Sequence, residues 1–189
     1  MGRTGSAYQL KITLRGSRPP IWRRVIVPGS TTLEKLHEVI QVAMGWTNGH
    51  LHAFEVAGTA FSGPGPDGYV DDENEFEDER KHCLAELMPR EKMKFRYEYD
   101  FGDGWEHDIV VEKIMPPLAA RRSIVCTGGK MCCPAEDCGG LAGHYRNLHI
   151  LADEKHPEHA EVAEWVGGHF DPEAFDLQAV NDALGTLRA

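Results

Sequence analysis

The stretch Lys94–Ile114 constrains the chain more than any other. Phe95, Tyr97, Tyr99 and Phe101 fall on one side of a two-residue alternation. Trp105, His107, Ile109 and Val111 repeat that alternation on the return, across the turn signal Gly102-Asp103-Gly104. A period of two on both sides of such a turn is an antiparallel hairpin with one apolar face. That face carries four large aromatic residues on its first strand, so the rest of the chain must cover it.

The N-terminal third supplies the cover. Tyr8–Leu14 alternates with Tyr8, Leu10, Ile12 and Leu14 on one side, and Ile21–Val27 follows as a second strand after a connection at Gly16–Pro20. Thr31 as N-cap, with Glu34 three positions on, opens an amphipathic helix. Its buried stripe is Leu33, Leu36, Ile40 and Ala43, with Val39 and Met44 alongside, and Gly45 ends it. His50–Val56 reads as a third strand. The order β-β-α-β is a grasp-like start to an α+β fold with a mixed sheet.

Residues 58–80 are poor in core formers and read as an acidic surface loop. Residues 67–79 alone hold eight acids. Cys83–Met88 reads as a short helix stopped by Pro89. Cys126–Gly143 shows little periodicity, and the remainder is helical over 144–152, 157–166 and 176–187. Leu177, Val180, Leu184 and Leu187 repeat at helical spacing in the last of these, with Asp176 as its cap. A length of 189 residues fits one domain, spanning 1–189 with a core of about 8–187. No run of 18 apolar residues occurs, which argues against a transmembrane helix. No apolar core follows Met1–Ala7, so the default location is the cytoplasm.

Charge narrows the partners. The net charge is −10, which disfavours nucleic acid as the main partner. Residues 1–33 nevertheless hold six basic groups and no acid. Arg15, Arg18, Arg23 and Arg24 surround the first turn, and Arg18, Arg23 and Arg24 form a candidate anion site. The competing reading is a solvated basic face.

Chemistry-bearing side chains gather around the hairpin. His50 and His52 lie two apart on one strand face, and Asp100, Asp103, Trp105 and His107 flank the hairpin turn. Imidazoles and carboxylates on neighbouring strands can make a metal site or an acid–base pair. The alternative is that they hold loop and turn backbone by hydrogen bonds. The five cysteines, Cys83, Cys126, Cys132, Cys133 and Cys138, lack the paired Cys-x2-4-Cys knuckles of a structural zinc site. Three thiolates, Cys126, Cys133 and Cys138, with His144 or Cys132 as the fourth donor, are the zinc set this segment could offer. The spacing assigns no metal ligand and no cofactor. No Gly-x-Gly-x-x-Gly follows a strand read in the sequence, and a P-loop, a Gly-x-Ser-x-Gly elbow and His-Glu-x-x-His are absent.

Several segments together resemble one family. They are Tyr8–Lys11 through Arg18–Arg24, Met44-Gly45-Trp46, His50-Leu51-His52-x-Phe54, Tyr97–His107, Cys133–Gly140 and Gly168–Phe175. The chain is similar, over nearly its whole length, to the plasmid pRiA4b ORF-3-like family. Ala135 departs from the usual Cys-Pro-Pro-Glu-Asp of that family. The resemblance implies a compact α+β protein without established activity, and some members carry labels linking them to transposons. It carries over no catalytic residue. A serine recombinase would need an Arg-rich catalytic domain and a basic tail, whereas residues 151–189 hold nine acids and two basic groups.

Two functions fit these observations. One is a non-catalytic binding or interaction module for a protein or small molecule, linked to mobile genetic elements. The other is a metal-dependent hydrolase of a phosphorylated or nucleotide substrate, using the His/Asp face of the hairpin.

Overall fold

A computed structural model describes residues 5–64, 76–117, 124–168 and 170–187. Among the described residues, eight strands form one mixed sheet: β1 Ala7–Leu14, β2 Trp22–Pro28, β3 His52–Val56, β4 Thr59–Ser62, β5 Glu77–Asp78, β6 Lys94–Tyr99, β7 Trp105–Met115 and β8 Val125–Lys130. Their order across the sheet is β5-β4-β3-β6-β7-β1-β2-β8. Only the β4–β5 pair is parallel. The helices are α1 Leu33–Met44, α2 Leu84–Leu87, α3 Gly140–Leu151, α4 His159–Trp165 and α5 Leu177–Leu184. The expected α+β class and ββαβ start are present, with one difference in topology. The strand delivered by α1 does not join the first hairpin, because β6 and β7 sit between β3 and β1.

Alternation explains which face is covered. Tyr8, Leu10, Ile12, Phe54, Tyr97, Tyr99, Trp105, Ile109 and Val111 are buried. They join Leu33, Leu36, Val39, Ile40 and Ala43 of α1 in one apolar cluster. Each such side chain contributes about 1.5–3 kcal/mol when fully buried. Helix α1 is capped one residue later than expected: Thr32, not Thr31, is the N-cap, its Oγ1 accepting from Lys35 N–H, and the helix ends as expected at Gly45 in the left-handed conformation, φ 97°. A Cβ is disfavoured there, which is why glycine makes the stop. No described helix is long and apolar enough to cross a membrane.

Three local readings need correction. Residues 58–80 are not one surface loop: β4 occupies 59–62, and β5 with a 3-10 turn at Glu79–Lys81 occupies the far end. Glu79 is buried there, while the acids of 67–75 lie outside the described residues. Phe101 leaves the apolar face and is 43% exposed. Asp100 takes a left-handed φ of 56°, which ends the alternation one residue early. Leu177, expected in the buried stripe of the last helix, is exposed, while Leu184 is buried.

Strand β8 was invisible in the sequence, and its outer edge shows how it persists. Asn181 of α5 donates its Nδ2–H to Cys126 O, 2.9 Å, while its Oδ1 accepts from Cys126 N–H, 2.9 Å. One carboxamide thus stands in for the next strand and leaves that edge residue without a free backbone group. Replacing Asn181 with Ala strands both backbone groups of Cys126. Chemical denaturation should show a loss of about 1–3 kcal/mol, against less than about 0.5 kcal/mol for Gln178→Ala on the exposed side of the same helix.

Candidate functional site

The loop after α1 and the turn after β6 meet beside a third segment, 131–139. Trp46 Nε1–H donates to Pro134 O, 3.0 Å. Glu136 accepts from Thr47 N–H, 3.0 Å, from Thr47 Oγ1–H, 2.6 Å, and from the Tyr99 phenol. Burial first, and the Glu136 carboxylate second, push the Tyr99 phenol well above its ordinary value, so it remains a donor. Beneath this junction Trp46 lies over Tyr99 and Trp105, at 5.1 and 5.8 Å between ring centres.

The docked loop brings one carboxylate to His50. His50 Nε2 is 3.3 Å from Asp137 Oδ1 and 3.7 Å from Asp100 Oδ2. The other Asp100 oxygen accepts the Gly102 and Asp103 N–H groups at 3.0 and 3.3 Å. Turn geometry therefore fixes this carboxylate and leaves Oδ2 facing the imidazole. One donor atom from each of the three residues lies within 4.8 Å of the others. Bonds of about 2.1 Å in tetrahedral geometry place donors about 3.4 Å apart, so the His50 separations suit a small divalent ion. Asp137 is exposed and Asp100 is buried, so the site sits at the surface with one anchored wall.

The remaining hairpin candidates go elsewhere. His52 Nε2 meets Glu79 Oε2 at 2.9 Å, both side chains being buried, and its ring stacks on His37 at 3.5 Å. His50 and His52 thus do not converge. Asp103 Oδ2 accepts from Gly139 N–H, 3.2 Å, and ties the hairpin turn to the start of α3. Its carbonyl lies 2.5 Å from where a Cβ on Gly140 would stand, so only glycine allows this approach. Trp105 and His107 are fully enclosed in the aromatic layer.

The arginines do not form one patch. Arg23 is buried, donating Nε–H to Ala43 O, 2.8 Å, and Nη1–H to Trp22 O and Lys130 O, 2.9 and 3.0 Å. Phe175 covers its guanidinium. Arg24 points to the opposite sheet face and grips Glu112 with two bonds, 2.6 and 2.9 Å. Arg18 is exposed and holds Tyr145 through its backbone N–H. Neighbouring positions on a strand face opposite ways, and that separates Arg23 from Arg24.

A family model described as plasmid pRiA4b ORF-3-like protein matches residues 6–179. The chain belongs to this family. An uncharacterized protein of Sinorhizobium fredii, y4hQ, is 38% identical over 190 residues, covering 97% of this chain and 93% of its own length. A crystal structure of a protein of unknown function from Methanosarcina mazei Go1 superposes with a TM-score of 0.81 at 35% identity. That match covers 93% of this chain and 97% of the other.

Sequence reasoning named His50 and Asp100 and missed Asp137 as their partner. The signal available was its place in the pRiA4b-like segment Cys133–Gly140. The thiols of that segment do not converge. Among the described residues, His50, Asp100 and Asp137 are the one group of His, Cys, Asp or Glu side chains close enough to share an ion. Burial also raises the thiols of Cys126, Cys132 and Cys133, and lifts Cys138 to about 11. Arg23 pulls Cys133 down by less than burial pushes it up, so none of these four is an activated thiolate at neutral pH.

Burial acts on the enclosed imidazoles as well. It lowers His107 from 6.5 to about 4, and the nearby Trp105 and Tyr97 carbonyls offset only part of that. Among the described residues, neither His107 nitrogen makes a hydrogen bond of acceptable geometry. The folded state therefore holds His107 neutral, while the unfolded chain takes up its proton near pH 6.5. That stability is complete above the unfolded value and is lost as pH falls towards 4. By pH 5 the loss from this one group is about 2 kcal/mol. Denaturation at pH 7 and pH 5 should show His107→Phe losing less stability than the parent across that interval.

Proposed function

We propose that the protein is a single-domain, cytoplasmic binding module in which His50, Asp100 and Asp137 hold a divalent metal ion. The convergence of three donor atoms within 4.8 Å carries this reading. Imidazole with two carboxylates suits Zn2+ or Mn2+ better than a soft ion. The ion would join two segments distant in sequence, the hairpin turn and the 131–139 loop, and present its remaining coordination positions at the surface. A protein or small-molecule ligand with an oxygen or nitrogen donor could complete the coordination.

Those open positions also favour a second reading. Three protein ligands with one position left for water is the pattern of catalytic zinc sites. A metal-dependent hydrolase of a phosphorylated substrate would work this way, with the ion polarising the phosphoryl oxygen. The binding reading is preferred because four of the thiols are held protonated and the buried His52 and His107 cannot reach a surface ligand.

Isothermal titration of metal-free protein with Zn2+ and with Mn2+ tests the site. One equivalent should bind, and at a hundredfold excess over the dissociation constant it should add about 2.7 kcal/mol of stability. His50→Ala and Asp137→Ala should each abolish both effects. Heat of binding that survives both substitutions, or no binding at all, removes the metal site. Turnover of a phosphate ester that depends on the ion and on Asp137 would move the assignment to the hydrolase.

A further inference from the structure

The opposite face of the same hairpin carries a second site. A cavity of about 470 Å³ opens on the uncovered side of the sheet, across β3, β4, β6 and β7. Its volume is in the range of small-ligand sites. Phe76 and Phe101 wall it, and Ala53 and Ala60 leave room between them. Phe101 is one of the few large apolar side chains exposed in the described residues. It stands there because the left-handed Asp100 turns it out of the covered face.

The charges in this cavity are unequal. Glu55, Glu98 and Glu106 line it against the single cation Arg96. Arg96 lies 3.6 Å from Glu55, and Arg15 outside the lining pairs with Glu106. The Glu98 side chain makes neither a hydrogen bond nor an ion pair among the described residues. It is half-buried and stands directly opposite Glu106 in the β6–β7 register. Like charges facing each other across a strand pair cost stability. Such an arrangement is relieved by a cation between the carboxylates, and aromatic walls suit the alkyl stem of that cation.

We propose that this cavity binds an alkylammonium group, with Glu98 as its counter-ion and Phe101 packed on its carbon chain. An anionic ligand is opposed by the unpaired Glu98 carboxylate, and Arg96 is already engaged by Glu55. The site is separate from the His50–Asp100–Asp137 cluster and stands whether or not that cluster holds an ion.

Calorimetry at low salt with 1,4-diaminobutane, with a neutral peptide carrying one lysine, and with butanol as the uncharged control tests the proposal. One amine arm should bind and butanol should not. Binding of the free diamine identifies a small amine as the ligand, and binding of the peptide alone identifies a basic protein segment. Glu98→Gln should weaken that binding by about tenfold or more. Its melting temperature should match or exceed the parent's, because a like-charge contact has been removed. Phe101→Ala should weaken binding while the fold is retained. If neither amine binds, or if Glu98→Gln binds as the parent does, the proposal is overturned.

Discussion

The placement of α1 depends on a chain of hydrogen bonds through the apolar core. Gln41 Nε2–H donates to the Tyr97 phenol oxygen, 3.0 Å. Tyr97 O–H lies 2.8 Å from His37 Nδ1, and His37 Nε2 lies 2.6 Å from Asn48 Oδ1. Asn48 N–H returns to Gln41 Oε1, 3.0 Å. One set of protons satisfies the whole circuit: phenol to Nδ1, and Nε2–H to the amide oxygen. Burial first, then neighbouring His52, lower His37 to about 3, so the ring is neutral and can accept at one nitrogen while donating at the other. A buried polar circuit of this kind is tolerable only when complete. Sliding α1 by one residue along the sheet would break both of its links to Tyr97. The register of α1 on β6 is thereby fixed, and with it the path of 45–50 and the position of His50.

That dependence explains which parts were legible in the sequence. The β6–β7 hairpin and α1 announce themselves because their partners are local and their periods, two and 3.6, are clean. Strand β8 carries Thr127, Gly128 and Gly129, residues that signal a loop. It is a strand because β2 pairs with it on one side and Asn181 on the other. Neither partner is near in sequence. Glu79 is a similar case: it ends an acidic run that reads as solvated, yet it enters the core to meet His52. Arg23 shows the converse. A basic cluster near a turn reads as an anion site, but alternation sends this guanidinium inward to backbone carbonyls. Local composition gave its charge, and only strand pairing gave its direction.

The candidate ion site was legible to the same depth. His50 and Asp100 flank β3 and β6, and their meeting follows from the β3–β6 register, which only the structure supplies. Asp137 arrives by a different route. Trp46, Thr47 and Tyr99 hold the Pro134–Glu136 backbone and side chain, and Asp103 holds Gly139. Asp137 lies between these two anchors, and nothing in its own neighbours predicts them. Two residues of one motif, Glu136 and Asp137, thus divide the work: the first binds the loop to the fold and the second faces His50.

The hairpin turn joins both candidate sites through one backbone conformation. With Asp100 in the left-handed region, its carboxylate stays under the turn and aims Oδ2 at His50. The next residue, Phe101, is carried to the uncovered face. Continued strand geometry would have buried Phe101 beside Tyr99 and left no fixed carboxylate at the end of β6. Aspartate tolerates that conformation better than most side chains because it can bond the following N–H groups, as it does to Gly102 and Asp103. The strained residue is therefore held by its own side chain, and both faces of the sheet take their exposed functional groups from it. A charge change at Asp100 would act directly on the His50–Asp100–Asp137 cluster and would remove the side-chain bonds that hold the turn carrying Phe101.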